Sequence, residues 1–256
     1  MTNSKTIVFI HGLFMNPNSW GNWMNYYQNL GYTCYAPAFP FHEGNPSILR
    51  NEISPELSKV TISDVVKSYI EFISMLSEKP ILIGHSIGGF VVQKLIELEK
   101  GTKGVCIDSV APAGIFTFKW SFWRANIPVI NPFKGDTAFK PSVEWFQKAF
   151  CNTMNMDETK KVYDAYVVPE SRNIPRSMLS DPFGKIDFHK AHAPLLFISG
   201  EKDSIIPYSL NVSNVKAYQD KSSIREHKIF EGRTHYICGQ EGWEDVADYV
   251  AKWIEE

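Results

Sequence analysis

Apolar residues in this chain follow two rhythms: short unbroken runs, and stretches in which they recur every third or fourth position. Thr6 to Ile10 (TIVFI) is a wholly apolar, β-branched run, as in a strand covered on both faces of a parallel sheet. Pro17 to Leu30 reads as a helix stopped by Gly31, and a second apolar run, Tyr32 to Ala38, halts before Pro40. Glu43 to Ser58 reads as a polar loop with two prolines. Thr61-Ile-Ser-Asp64 opens a helix as a capping box, with Val65, Val66, Tyr69, Ile70, Ile73 and Leu76 along one face. Beyond it, Pro80 to Ile83 predicts a strand, Phe90 to Lys100 a helix and Gly104 to Val110 a strand. Near the end come a strand at Pro194 to Ser199, a helix near Ser209 to Tyr218, a strand at Arg225 to Phe230 and a helix from Trp243 to Trp253. This alternation predicts an α/β fold, a mostly parallel sheet with helices on both faces.

One segment breaks the rhythm. Ala111 to about Asp187 shows no clear strand, and ten aromatic residues fall between Ile115 and Phe150, with prolines at 128, 132 and 141. A structureless loop that long is unexpected in a compact domain, so residues 111–187 are expected to form an inserted helical cap on a core of residues 1–110 and 188–256. The alternating aromatics Phe116, Phe118, Trp120, Phe122 and Trp123 suit either a lipid surface or a cap packed down on the sheet, and the packed cap is the simpler expectation.

Composition narrows the function classes. At 256 residues, 44% hydrophobic and 21% charged, the chain is ordinary for a globular protein. A net charge of −2 with scattered Lys and Arg supplies no basic field for nucleic acid. Four distant cysteines (34, 106, 151, 238) without a CxxC read as reduced thiols, which favours the cytoplasm. The apolar run before His11 is too short for a signal peptide, and nothing approaches a membrane span.

The chemistry concentrates at Gly84-His85-Ser86-Ile87-Gly88, a GxSxG between a strand and a helix. Such an elbow presents a serine on a strained turn, and the glycines remove side chains that would collide there. A serine hydroxyl needs a base, itself oriented by a carboxylate. His235 lies between the last strand and last helix, where a parallel sheet presents groups at its C-terminal edge. His227 lies within a strand, and His189 and His192 near the return from the insertion. Asp203 follows the strand Pro194 to Ser199, whereas its rival Asp108 falls inside a strand and reads as a buried polar residue. An oxyanion needs two preset donors: the backbone N–H of Ile87 and that of Leu13, with Phe14 the second choice. His11 reads as a brace for that loop.

FIHGLFMNPNSW, ILIGHSIGGF, LFISGEKDSIIP and FEGRTHYICG together resemble the α/β-hydrolase superfamily along the whole chain. The resemblance implies Ser86 as nucleophile, Asp203 as acid and His235 as base, in the chain order usual for that superfamily, under an inserted cap. The antiparallel hairpin that often opens this fold looks to be missing here, leaving about six strands. Members with aspartate at the elbow, haloalkane dehalogenases and epoxide hydrolases, are disfavoured by Ser86.

The expected function is a serine hydrolase acting on a small to medium apolar carboxylic ester, thioester or lactone, without cofactor or metal. Phe14, Trp120, Trp123 and Phe150 are candidates for the substrate pocket. The alternatives are a hydroxynitrile lyase, which would want a lysine from the cap (Lys119, Lys134, Lys140 or Lys148), a cofactor-free perhydrolase, or a small-molecule receptor that retains the triad. The pair His189 and His192 is too sparse for a metal site, Cys238 reads as a buried thiol, and Met154 and Met156 as packing.

Overall fold

The computed structural model describes residues 4–256; the first three residues, which belong to the expected core segment and to the N-terminus tested for a signal peptide, lie outside the described residues. The chain begins with β1 (Thr6–Ile10), a 3₁₀ turn at Pro17–Trp20, α1 (Gly21–Asn29) and β2 (Thr33–Tyr35). Next come α2 (Pro46–Asn51), α3 (Ile62–Ser74), β3 (Ile81–His85), α4 (Ile87–Glu97) and β4 (Lys103–Ile107). The inserted stretch holds α5 (Trp120–Ile130), β5 (Ala138–Phe139), α6 (Val143–Ala149), α7 (Met156–Tyr166), β6 (Glu170–Ser171) and α8 (Asn173–Ser177). The chain then returns through β7 (Leu195–Gly200), α9 (Tyr208–Ala217), β8 (Arg225–Phe230) and α10 (Trp243–Glu255).

Six strands form one sheet in the order β2-β1-β3-β4-β7-β8, every pairing parallel. Alternate residues of β1 face opposite layers, as the pleat requires. Val8 and Ile10 pack with α3 and α4, while Ile7 and Phe9 pack with Trp23 and Tyr27 of α1 and with Val246 and Val250 of α10. The buried face of the insertion, including Val129, Phe146, Phe150 and Ile174, belongs to the same apolar cluster as α3 and α4. Among the described residues, no helix is long and apolar enough to cross a membrane.

Several local expectations are corrected. Residues 43–58 are not a plain loop: Asn45 caps α2 by accepting the Ser47 N–H, Ser54 caps a 3₁₀ turn over Pro55–Lys59, and a proline sits in the first turn of each. The insertion does carry strands, the two-residue antiparallel pair β5 and β6, too short for any periodicity to register. β4 stops at Ile107, so Asp108 stands just past the strand rather than within it, at φ 43°. The aromatic run does not pack down on the sheet as expected: Phe116, Phe118 and Trp120 are exposed.

The junction of β3 and α4 positions the site. A Cβ on Gly84 would fall 2.2 Å from the Gly88 carbonyl oxygen, and one on Gly88 would fall 2.2 Å from that of Ile10. Both obstacles are backbone, so neither can rotate away. Gly88→Ala is expected to lower stability by about 3 kcal/mol or to prevent folding. Gly21→Ala, where nothing lies within 4 Å and the backbone is right-handed helical, should be neutral or stabilising by about 0.4–1 kcal/mol. Urea melts of the two variants check the contrast, and equal stabilities would refute it.

Candidate active site

Ser86 occupies the turn between β3 and α4 at φ 58°, ψ −121°. Such a conformation costs about 1–3 kcal/mol for a residue with a side chain. Its backbone is pinned against relaxation: Ser86 N–H donates to Ile107 O (2.9 Å), while its carbonyl accepts from Gly89 N–H (3.0 Å) and Val110 N–H (3.0 Å). At roughly 1 kcal/mol net per hydrogen bond, these contacts are of the size needed to hold the strain.

Asp203 and His235 meet beyond the C-terminal ends of β7 and β8. Asp203 Oδ2 accepts the His235 Nδ1–H at 2.6 Å, with both side chains wholly buried. Its other oxygen, Oδ1, accepts the N–H groups of Ile205 (2.9 Å) and Ile206 (2.8 Å). This bonding fixes the imidazole orientation and leaves Nε2 buried without a hydrogen-bond partner; no hydrogen bond joins it to Ser86. Burial pulls His235 from 6.5 down to about 3, so its ring is neutral and Nε2 carries a lone pair. The edge of Phe150 covers the ring at a centroid distance of 4.7 Å, and His235 O accepts from His85 Nε2 (2.7 Å).

Asp108, the rival acid, stands next to this pair. Its Oδ1 accepts the Gly200 N–H at 2.7 Å, and its Oδ2 is buried without a conventional donor. Burial pushes both carboxyls up, but unequally in kind. Repulsion from Asp203 raises Asp108 further, whereas Asp203 is eased down by the two isoleucine N–H groups and by a hydrogen bond from Asp108. Of the two, Asp108 is therefore the carboxyl that its neighbour raises and Asp203 the one that its neighbour lowers.

The loop after β1 approaches Ser86 so closely that a Cβ on Gly12 would lie 2.9 Å from that of Ser86. His11 braces this loop. Its Nε2 accepts the Phe39 N–H (3.0 Å), its Nδ1 lies 2.9 Å from Gly12 O, and burial holds it neutral at about 3. Among the described residues, the N–H groups of Leu13 and Ile87 have no recorded acceptor, and both residues line a cavity with Ser86.

That cavity, of about 190 Å³, lies between the sheet edge and the insertion. Phe14, Trp123 and Phe150 line it, while Trp120 does not: α5 turns it outward to solvent, which corrects the expectation for that residue. No charged side chain lines it. Ser86, Thr117 and Asn126 supply its side-chain polarity, and Asn126 Nδ2 is spent on Phe122 O and Ile205 O. Sequence reasoning missed Asn126 and the partnership of Asp108 with Asp203; the only signal for the latter was an aspartate at the end of an apolar run.

His85, Asp108 and His235 offer ligand atoms within 4.8 Å of one another. One side-chain atom of each is already engaged: His85 Nε2 donates to His235 O, Asp108 Oδ1 accepts the Gly200 N–H and His235 Nδ1–H donates to Asp203 Oδ2. Among the described residues, His189 and His192 join no such group. The Cys238 thiol is pushed well up, chiefly by burial, which disfavours the thiolate a second nucleophile would need.

None of the curated proteins compared with the chain matches it. Solved structures do. An extracellular alpha/beta-hydrolase from a Paenibacillus species, described as sharing structural and functional homology with tobacco salicylic acid binding protein 2, superposes with a TM-score of 0.71 at 20% identity, covering 96% of this chain and 98% of that one. A monoacylglycerol lipase of Paleococcus ferrophilus gives 0.66 at 18% identity, covering 97% and 93%. A methylesterase from Arabidopsis gives 0.67 at 14% identity, covering 98% of both. At these identities the likeness speaks for the fold. The family profile described as "Alpha/beta hydrolase family" matches residues 7–249, nearly the whole length, and with the elbow, the six-stranded parallel sheet and the Asp203–His235 pair in place, the chain belongs to the alpha/beta hydrolase family.

Proposed function

We propose that the protein is a serine hydrolase that cleaves a small to medium apolar carboxylic ester, or a thioester or lactone of similar size, through an acyl-enzyme on Ser86. The observation that carries this reading is a buried, neutral imidazole, oriented by Asp203 and with Nε2 uncommitted, near a strained serine that faces an uncharged cavity. In this scheme Ser86 Oγ attacks the carbonyl carbon and His235 Nε2 takes the hydroxyl proton. The N–H groups of Leu13 and Ile87 receive the developing oxyanion. The proton then passes to the leaving alkoxide as its bond to carbon breaks. Water, deprotonated by the same nitrogen, releases the acid and restores Ser86.

Residues 111–187 act in this proposal as a cap, supplying Trp123 and Phe150 to the pocket wall. An apolar wall without charge suits uncharged acyl and alcohol groups and opposes carboxylate-bearing substrates, which would lose hydration without gaining a partner. Esterases and lipases among the structurally similar proteins make carboxylic esters the class to test first. The lyase reading loses support because no lysine lines the cavity: Lys140 Nζ donates to Arg50 O, and Lys119 stands over the ring of Tyr208.

Ser86→Ala is expected to lower kcat/KM for p-nitrophenyl butyrate by at least about a thousandfold, and retained activity in the purified variant would end the proposal. Asp203→Asn should reduce kcat by about ten-thousandfold, because the amide favours the wrong imidazole tautomer. Asp108→Asn, whose amide can still donate to Asp203, should cost less than tenfold. The reverse ranking would make Asp108 the acid. Because His235 is held down at about 3, the base is unprotonated above that pH and lost only below it. The acid limb of kcat/KM should therefore lie well under pH 6.5, and a limb at or above 6.5 would contradict the neutral buried base.

A further inference from the structure

The helix α5 is apolar on two faces, and only one of them is covered. Phe122, Asn126 and Val129 turn toward the cavity, and Asn126 ties the helix to Ile205 O. On the opposite side Trp120 and Ile127, seven residues apart, are both exposed, and Trp123, which also lines the cavity, stands between the two faces and is partly exposed. Phe118 before the helix and Phe133 after it extend this face at 99% and 95% exposure, and Trp120 stands at 71%. Phe116 and Leu179 are exposed as well and line the cavity, so the patch is continuous with its mouth. A helix apolar all round normally lies within a core or against lipid, and an exposed patch of this kind marks an interaction surface.

Charge identifies the occupant. From Ala111 to Gly135 the chain carries Lys119, Arg124 and Lys134 and no acidic residue, in a protein of net charge −2 overall. Tryptophan and phenylalanine beside lysine and arginine are the side chains that settle at the boundary of headgroups and acyl chains, the cations meeting lipid phosphates. Eleven residues of helix extend about 16 Å, enough to lie along a bilayer and too little to cross one.

We propose that the outer face of α5, with Phe118 and Phe133, docks the protein on an anionic lipid bilayer surface, with the cavity mouth at Phe116 and Leu179 turned toward the apolar phase. An uncharged substrate dissolved in the bilayer then reaches the cavity without crossing bulk water. The docking itself does not depend on the hydrolase reading, and the Ser86→Ala protein is expected to dock equally well.

The test is co-sedimentation with vesicles of phosphatidylcholine and phosphatidylserine (7:3) and with phosphatidylcholine alone, at low salt. The protein should sediment with the anionic vesicles, and the indole fluorescence should shift to the blue. Combined Phe118→Ser, Trp120→Ser and Phe133→Ser changes should weaken binding more than tenfold while leaving the thermal midpoint and turnover of a soluble ester unchanged, since none of the three lines the cavity. Lys119→Glu and Lys134→Glu should each weaken it by about fivefold or more. Absence of sedimentation with anionic vesicles, or equal binding by the triple variant, would overturn the proposal. So would light scattering that shows a dimer dispersed by the triple variant with no vesicle binding, which would assign the face to a second copy of the chain.

Discussion

The approach of α4 to β1 and β3 is the contact on which the rest of the site depends. Backbone meets backbone there, Gly88 against the Ile10 carbonyl and Gly84 against Gly88, while Gly12 lies against the Ser86 Cβ. With no side chains between them, three segments distant in sequence place their backbone groups around one hydroxyl. Leu13, Ser86 and Ile87 line one cavity, their backbones set by main-chain contacts that are stiffer than any side-chain rotamer. The hydrogen bonds that Ser86 N–H donates to Ile107 O and that Val110 N–H donates to Ser86 O tie the same turn to the end of β4. The strain at Ser86 is thus shared across the middle of the sheet.

A second constraint is electrostatic. An ionised carboxylate cannot be buried alone, and Asp203 has donors on both oxygens, from Ile205, Ile206 and His235. Asp108 stands beside Asp203, its own Oδ1 held by the Gly200 N–H at the end of β7. This carboxyl pair lies between two strand ends, and its mutual repulsion raises Asp108. His235 stays neutral beside it because burial outweighs the single carboxylate.

The sheet, the serine elbow and the Asp203–His235 pair were legible in the sequence because parallel strands buried on both faces are written as bare apolar runs, and because their C-terminal ends carry the polar residues. TIVFI, ILIGH and LLFISG all became central strands. What was not legible depended on contacts remote in sequence. Asp108 looked like a strand residue because an apolar run marks burial and does not show where pairing ends. Trp120 and Trp123 are equally aromatic, yet one faces solvent and the other the cavity, and only the seating of α5 on Ile205 decides which. The pair β5 and β6 is flanked by Arg172, whose backbone N–H and Nε donate to Thr137 O and Oγ1 and whose guanidinium stands over the Phe139 ring, a cause invisible to local periodicity.

The insertion is joined to the core at the very loop that carries the base. Tyr236 N–H donates to Phe150 O (3.0 Å), and Ser204 Oγ reaches Lys148 O (2.8 Å), so the residues after His235 and Asp203 both hold the end of α6 and the residue after it. Lifting α6 away from the sheet would pull on the two loops that set the imidazole. The position of α6 and the setting of the imidazole are thus mechanically linked, and a displacement of one would be felt at the other.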